Sequence, residues 1–339
     1  MFHHITICRT NLSNTINCMG EHMTYEDLNQ RLQNGECLVL DGAIGTQLQR
    51  MDVPMDNICW AGKALHTHPD TIRHMHHKYL DCGVDILTTN TYASARHNLE
   101  PLGLGDSTRE LNIRGVNLAQ EARERFANRP VWIAGSVSNF GLTIGGESIR
   151  ALHRHANSRT QISEQQAIAN LQEQAEILAD AGVDFLLGES TGSMAQRHWV
   201  MQACQSTGLP VWIGFRVRWN EVSNQVEMGY SDQENFADGL KQLLKASKPD
   251  CIALFHSTVE STNKALPILR ELWDGPVALY PEADRSDYTS SHRDEAVATE
   301  ITPEEFAKQA AEWKNDGIEV IGGCCGIDVE FIQQLRQAI

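Results

Sequence analysis

The chain has 339 residues, 41% of them hydrophobic and 21% charged, with a formal net charge of -16. That length builds one large domain or two modest ones. The acidic balance excludes nucleic acids and anionic membranes as natural partners, since both call for a basic face. No apolar run approaches the roughly 20 residues of a spanning helix. The nine cysteines are odd in number and show no disulfide spacing, which predicts a reducing, cytoplasmic setting. Cys82, Cys204 and Cys251 lie in apolar surroundings and read as core residues.

Residues 1–23 carry polar interruptions at His3, His4, Arg9 and Asn11, so they lack a secretory design and read as a poorly ordered extension. From residue 24 onward one unit repeats: an apolar strand, a polar or small strand end, a loop, and a helix closed by glycine. The strands are Cys37 to Leu40, Val84 to Leu87, Val131 to Ala134, Val183 to Leu187, Val211 to Phe215, Cys251 to Phe255, Val277 to Tyr280, and Val320-Ile321. The helices are punctuated. Pro69 to Asp81 stops before Gly83; Ser163 and Gln166 form a capping-box pattern; Thr302, Pro303 and Glu305 form another, with Gly317 as the stop. Continuous apolar strands alternating with helices imply a parallel sheet covered on both faces. Eight units imply a single-domain α/β structure, a (β/α)8 TIM barrel over residues 24–339; a doubly wound open sheet is the alternative. No G-x-G-x-x-G follows the first strand, which argues against a dinucleotide fold.

A barrel brings the carboxyl ends of its strands to one face. Asp41, Asn90, Tyr92, Glu189, His256, Cys324 and Cys325 are therefore expected together. Three long polar segments, Ser138 to Ile162, Arg216 to Asn235 and Glu282 to Ile301, are candidates for a lid. His256, Cys324 and Cys325 form a Cys2His set that suits Zn2+ with its fourth position open. Two thiolates and a neutral imidazole bring the formal charge with Zn2+ to zero. A thiol arriving there would bind as thiolate. Asp41 and Glu189 suit a cationic group such as an α-ammonium. Trp60 and Tyr92 suit a sulfonium or quaternary ammonium, through cation–π attraction. The run His66, His68, His74, His76 and His77 falls mostly on a helix outside the barrel and reads as a solvated face.

From about Leu38 to Ala338 the chain resembles the homocysteine S-methyltransferases. That family includes the betaine–homocysteine and S-methylmethionine–homocysteine enzymes and the homocysteine domain of cobalamin-dependent methionine synthase. The carriers are Asp41-Gly42-Ala43-Ile44-Gly45-Thr46-Gln47-Leu48, Thr88-Thr89-Asn90-Thr91-Tyr92-Ala93-Ser94, Gly182-Val183-Asp184 through Glu189-Ser190, and Gly322-Gly323-Cys324-Cys325-Gly326. The resemblance implies a zinc-dependent transfer of methyl from a sulfonium or betaine-type donor to homocysteine, giving methionine. No catalytic group is implied beyond the metal-activated thiol. It implies substrate contacts at Asp41, Glu189, Trp60, Tyr92, Asn90 and Ser190, and zinc ligands at Cys324 and Cys325.

The family ends strand six with Asn-Cys, where this chain reads Phe255-His256, so His256 is the expected third ligand. The change makes the site one charge more positive. Two further departures are Ser138-Asn139-Phe140-Gly141 for Gly-Pro-Tyr-Gly and Pro281-Glu282 for Pro-Asn. They leave open a different acceptor, a zinc-water reaction with Glu189 as base, or a non-catalytic metabolite-binding barrel. The chain ends soon after the eighth unit, so a monomer or homodimer is expected.

Overall fold

The computed structural model describes residues 24–127, 129–144, 160–229, 234–283 and 301–339. Eight parallel strands form the barrel: β1 (Leu38–Val39), β2 (Ile86–Thr88), β3 (Trp132–Ser138), β4 (Phe185–Ser190), β5 (Val211–Phe215), β6 (Cys251–Phe255), β7 (Val277–Tyr280) and β8 (Val320–Ile321). Each pairs with its neighbour in chain order. The ring is joined where Leu38 and Val39 of β1 register with Val320 and Ile321 of β8, and where Leu40 bridges Ile86. The chain is thus a TIM barrel, as its eight apolar runs predicted.

Side chains alternate across each strand. Leu38, Leu40, Trp132, Ala134, Phe185, Leu187, Cys251, Ala253 and Phe255 fill the interior, while Val39, Leu87, Ile133, Leu186, Ile213 and Leu254 pack outward against helices. Helix Tyr25–Gln33 plugs the amino end of the barrel with Leu28 and Leu32. Two indoles inside the barrel anchor it: Trp212 Nε1 donates to Tyr25 Oη at 2.8 Å and Trp132 Nε1 to the Thr24 carbonyl at 2.9 Å. That plug leaves the carboxyl end as the open face.

The helix punctuation holds with two refinements. Helix Pro69–Cys82 ends at Gly83, which takes φ 95°, a conformation that costs glycine little. Thr302 and Glu305 form the reciprocal box before Pro303–Asn315. Ser163 caps Glu164–Asp180 in one direction; Gln166 spends its amide on Asn170 Oδ1 instead. Among the cysteines expected in the core, Cys204 and Cys251 are fully buried, whereas Cys82 is half-buried with its thiol donating to the Val329 carbonyl.

The histidine run needs a correction. His66 and His74 are exposed, but His76 is completely buried, and that burial pulls its pKa down to about 4. Its position one residue past Met75 places it on the packed edge of the helix face.

After β5 the chain forms a small antiparallel sheet, Val217–Asn220, Gln225–Met228 and Glu234–Asn235. Leu142–Ile144 pairs in parallel with Thr160–Ile162 after β3. Residues 145–159, 230–233 and 284–300 of the expected lid segments, and the expected extension at residues 1–23, lie outside the described residues. Among the described residues, no helix is long and apolar enough to cross a membrane.

Candidate metal and substrate site

The site is assembled by strand ends tied to one another through their backbones. Asp41, just past β1, accepts from Thr88 of β2 twice, from the amide at 2.7 Å and the hydroxyl at 2.8 Å. Its own carbonyl accepts from the Gly323 amide at 3.1 Å, which joins the β1 end to the β8 end. Gly322 permits this approach, since a Cβ there would lie 2.6 Å from Leu40 Cβ and 2.9 Å from the Asp41 carbonyl oxygen.

Glu189, near the end of β4, accepts from Ser136 Oγ of β3 at 2.5 Å and from Tyr280 Oη of β7 at 3.3 Å. Both acids are almost fully buried. Burial pushes Glu189 up to about 8 and Asp41 up to about 7, against the hydrogen bonds that favour their charged forms. A cation delivered between them would offset the cost of ionising them.

These shifts predict how stability varies with pH in metal-free protein. Above the ordinary carboxylate value the unfolded chain has released these protons while the folded chain still holds them. The contribution of the two acids is therefore full below that value and is lost as pH rises through about 7 for Asp41 and about 8 for Glu189. Thermal melting in the presence of a chelator, compared across this range, is expected to show a decline that Glu189→Gln makes shallower. An equal slope in both proteins would contradict the assignment.

On the other side of the mouth, His256 follows β6 with φ 47°, a strained value for a residue with a side chain. His256 Nδ1 lies 3.6 Å from Cys324 Sγ. Donor atoms of His256, Cys324 and Cys325 all fall within 4.8 Å of one another. Hydrogen bonding from Cys325, reinforced by His256, holds the Cys324 thiol down to about 5 despite burial, and the same sharing raises Cys325. Two sulfurs and an imidazole converging in this way fit a tetrahedral ion such as Zn2+ with one position left for a substrate. Cys251, at the start of β6, faces the barrel interior and is far from this end.

Trp60, Tyr92 and Phe140 form the aromatic wall. Phe140 meets Trp60 edge-on with centroids 6.4 Å apart and Tyr92 at 5.5 Å. Gly45 makes room for the indole, since a Cβ there would lie 2.6 Å from Trp60 Nε1. One cavity is lined by Asp41, Trp60, Asn90, Tyr92, Glu189, His256, Cys324 and Cys325 together. Asn90 gives its amide nitrogen to the Ala61 carbonyl at 3.0 Å, so it also braces the loop that carries Trp60. Ser190 is not among the described residues lining the cavity; it is fully buried, and its carbonyl accepts from Arg197 at 2.9 Å. Phe140 was outside the expected contact set, although an aromatic residue two positions past β3 was a usable signal.

A profile of the homocysteine S-methyltransferase family matches residues 38–339. The chain belongs to that family. Among its relatives, the selenocysteine methyltransferase of Astragalus bisulcatus is 24% identical, over 91% of this chain and 94% of that protein. Homocysteine S-methyltransferase 4 of Zea mays is 22% identical over 90% of each. The metallated crystal structure of the homocysteine methyltransferase MmuM from Escherichia coli superposes with a TM-score of 0.71 at 22% identity, covering 92% of this chain and 99% of that one. This homocysteine S-methyltransferase family member shares the barrel of that structure along nearly its whole length.

Proposed function

We propose that the chain is a zinc-dependent S-methyltransferase that moves methyl from a cationic sulfonium or betaine-type donor to homocysteine, giving methionine. The observation that carries this reading is the convergence of His256, Cys324 and Cys325 on one wall of the cavity that Asp41, Glu189, Trp60 and Tyr92 also line. Zinc held by the trio would supply one service, keeping the substrate sulfur as a thiolate. Glu189 and Asp41 hold the α-ammonium of the amino acid, losing their protons as it binds. Trp60, Tyr92 and Phe140 hold the donor's cationic centre against their faces. The aligned sulfur then attacks the donor methyl. A sulfur–carbon bond forms, the donor's heteroatom–carbon bond breaks, and the bonding pair leaves with the now neutral donor. No general acid is needed for that leaving group, so positioning is the main contribution of the protein.

The test is product formation by zinc-loaded protein given homocysteine and, separately, S-methylmethionine, betaine or dimethylsulfoniopropionate. Methionine with one of these donors is the expected result. Selenocysteine in place of homocysteine compares the two acceptor classes named among the relatives. Absence of turnover with every pair, in protein that holds zinc, would refute the proposal.

A further inference from the structure

We infer that Glu282 is a positioning residue of the metal centre, holding the His256 ring in the orientation that coordination needs. The inference rests on the metal reading above. Glu282 follows β7, and its side chain is 1% exposed with Oε2 3.0 Å from His256 Nδ1. Carboxylates are seldom buried this deeply without a dedicated partner.

Its place is set by the backbone on both sides. The Tyr280 carbonyl accepts from the His256 amide at 3.3 Å, and the Glu282 amide donates to the Ser257 carbonyl at 2.9 Å. On the other flank, the Pro281 carbonyl accepts from the Cys324 amide at 2.8 Å, and the Ala283 amide donates to the Cys325 carbonyl at 2.9 Å. Residues 280–283 therefore stitch the histidine end of the site to the cysteine end, with the Glu282 carboxylate against the imidazole. A histidine on a strained backbone unit needs its surroundings to hold it. Nδ1 is also the ring nitrogen 3.6 Å from Cys324 Sγ, so with its N–H given to Glu282 the nitrogen left to coordinate is Nε2. The carboxylate selects that tautomer, fixes the ring plane and makes Nε2 the better electron donor.

The experiment measures zinc affinity, by competition with a chromophoric chelator, in the full-length protein and in Glu282→Gln, Glu282→Asp, His256→Ala and the Glu282→Gln/His256→Ala double variant. Glu282→Gln is expected to weaken zinc binding by about 10–100-fold. The thiolate-to-metal bands of the cobalt-substituted protein are expected to persist, because both cysteines remain. Glu282→Asp, which keeps a carboxylate on a shorter arm, is expected to retain more affinity than Glu282→Gln. In the His256→Ala background the Glu282→Gln change is expected to cost nothing further. Unchanged affinity in Glu282→Gln, or additive losses in the double variant, would overturn the inference while leaving the metal centre intact. An unaltered chain that binds no zinc would instead overturn the metal reading and this inference with it.

Discussion

Cys324→Ser is expected to abolish methyl transfer and to lower zinc affinity by more than the roughly 100-fold seen for outer-sphere changes. Serine keeps the size and the backbone of Cys324 but not its sulfur. Its hydroxyl stays protonated near neutral pH, whereas the Cys324 thiol is held down to about 5. The Cys324 amide and carbonyl, bonded to the Pro281 carbonyl and the Ile327 amide at 2.8 and 3.0 Å, are unaffected by the swap. The fold should therefore persist while one of three converging donors disappears. Metal content after dialysis and methionine formation are the two measurements. A serine variant that retained stoichiometric zinc would place the ion elsewhere.

Glu189→Gln is the second large effect. Glutamine can accept from one of the Ser136 and Tyr280 hydroxyls with its amide oxygen and donate to the other with its amide nitrogen, so the local scaffold is retained. What is lost is the charge opposite the proposed substrate ammonium. A hydrogen bond to a charged partner contributes about 2–3 kcal/mol, which is on the order of 10²-fold in kcat/KM for the thiol substrate. The loss is expected in the KM for homocysteine, with the KM for the methyl donor little changed. Because the burial of Glu189 raises its pKa to about 8, kcat/KM of the unaltered protein is expected to climb with pH toward that value and then level off. The variant should lose the Glu189 part of that rise and level off near 7, where Asp41 titrates. A donor KM that increased as much as the homocysteine KM would reassign Glu189 to the other substrate.

The strand ends were the most readable part of the chain. A period-two interior and polar terminal residues mark Asp41, Glu189 and Cys324 without any knowledge of contacts, because the barrel sends every strand end to the same face. Other features depend on the third dimension. The position of Glu282 after an apolar strand indicates nothing about the imidazole 3.0 Å away, because that pairing joins two different strand ends. Ser190 is adjacent to Glu189 but packs behind the site, since neighbours on a strand face opposite ways. His76 was misread for a similar reason. A run of five histidines is a compositional signal, and the helix turns one member of it into the packing. Phe140 shows the opposite failing: its place past β3 was noted, yet its role depends on meeting Trp60 and Tyr92 from other loops.

The seam between β1 and β8 has a consequence for the order of assembly. Leu38 and Val320 are paired neighbours separated by about 280 residues of chain, so their contact carries a high loop-closure cost and belongs to the late stages of folding. Both cysteines of the trio sit just beyond that seam, and the carbonyl of Asp41 receives its amide bond from Gly323 across it. A nascent or partly folded chain thus presents the adjacent thiols of Cys324 and Cys325 without the imidazole and the strand-one end beside them. If the trio holds zinc as proposed, capture of the ion would be the last event of maturation, because a chain halted before the seam closes has no finished pocket in which to trap it.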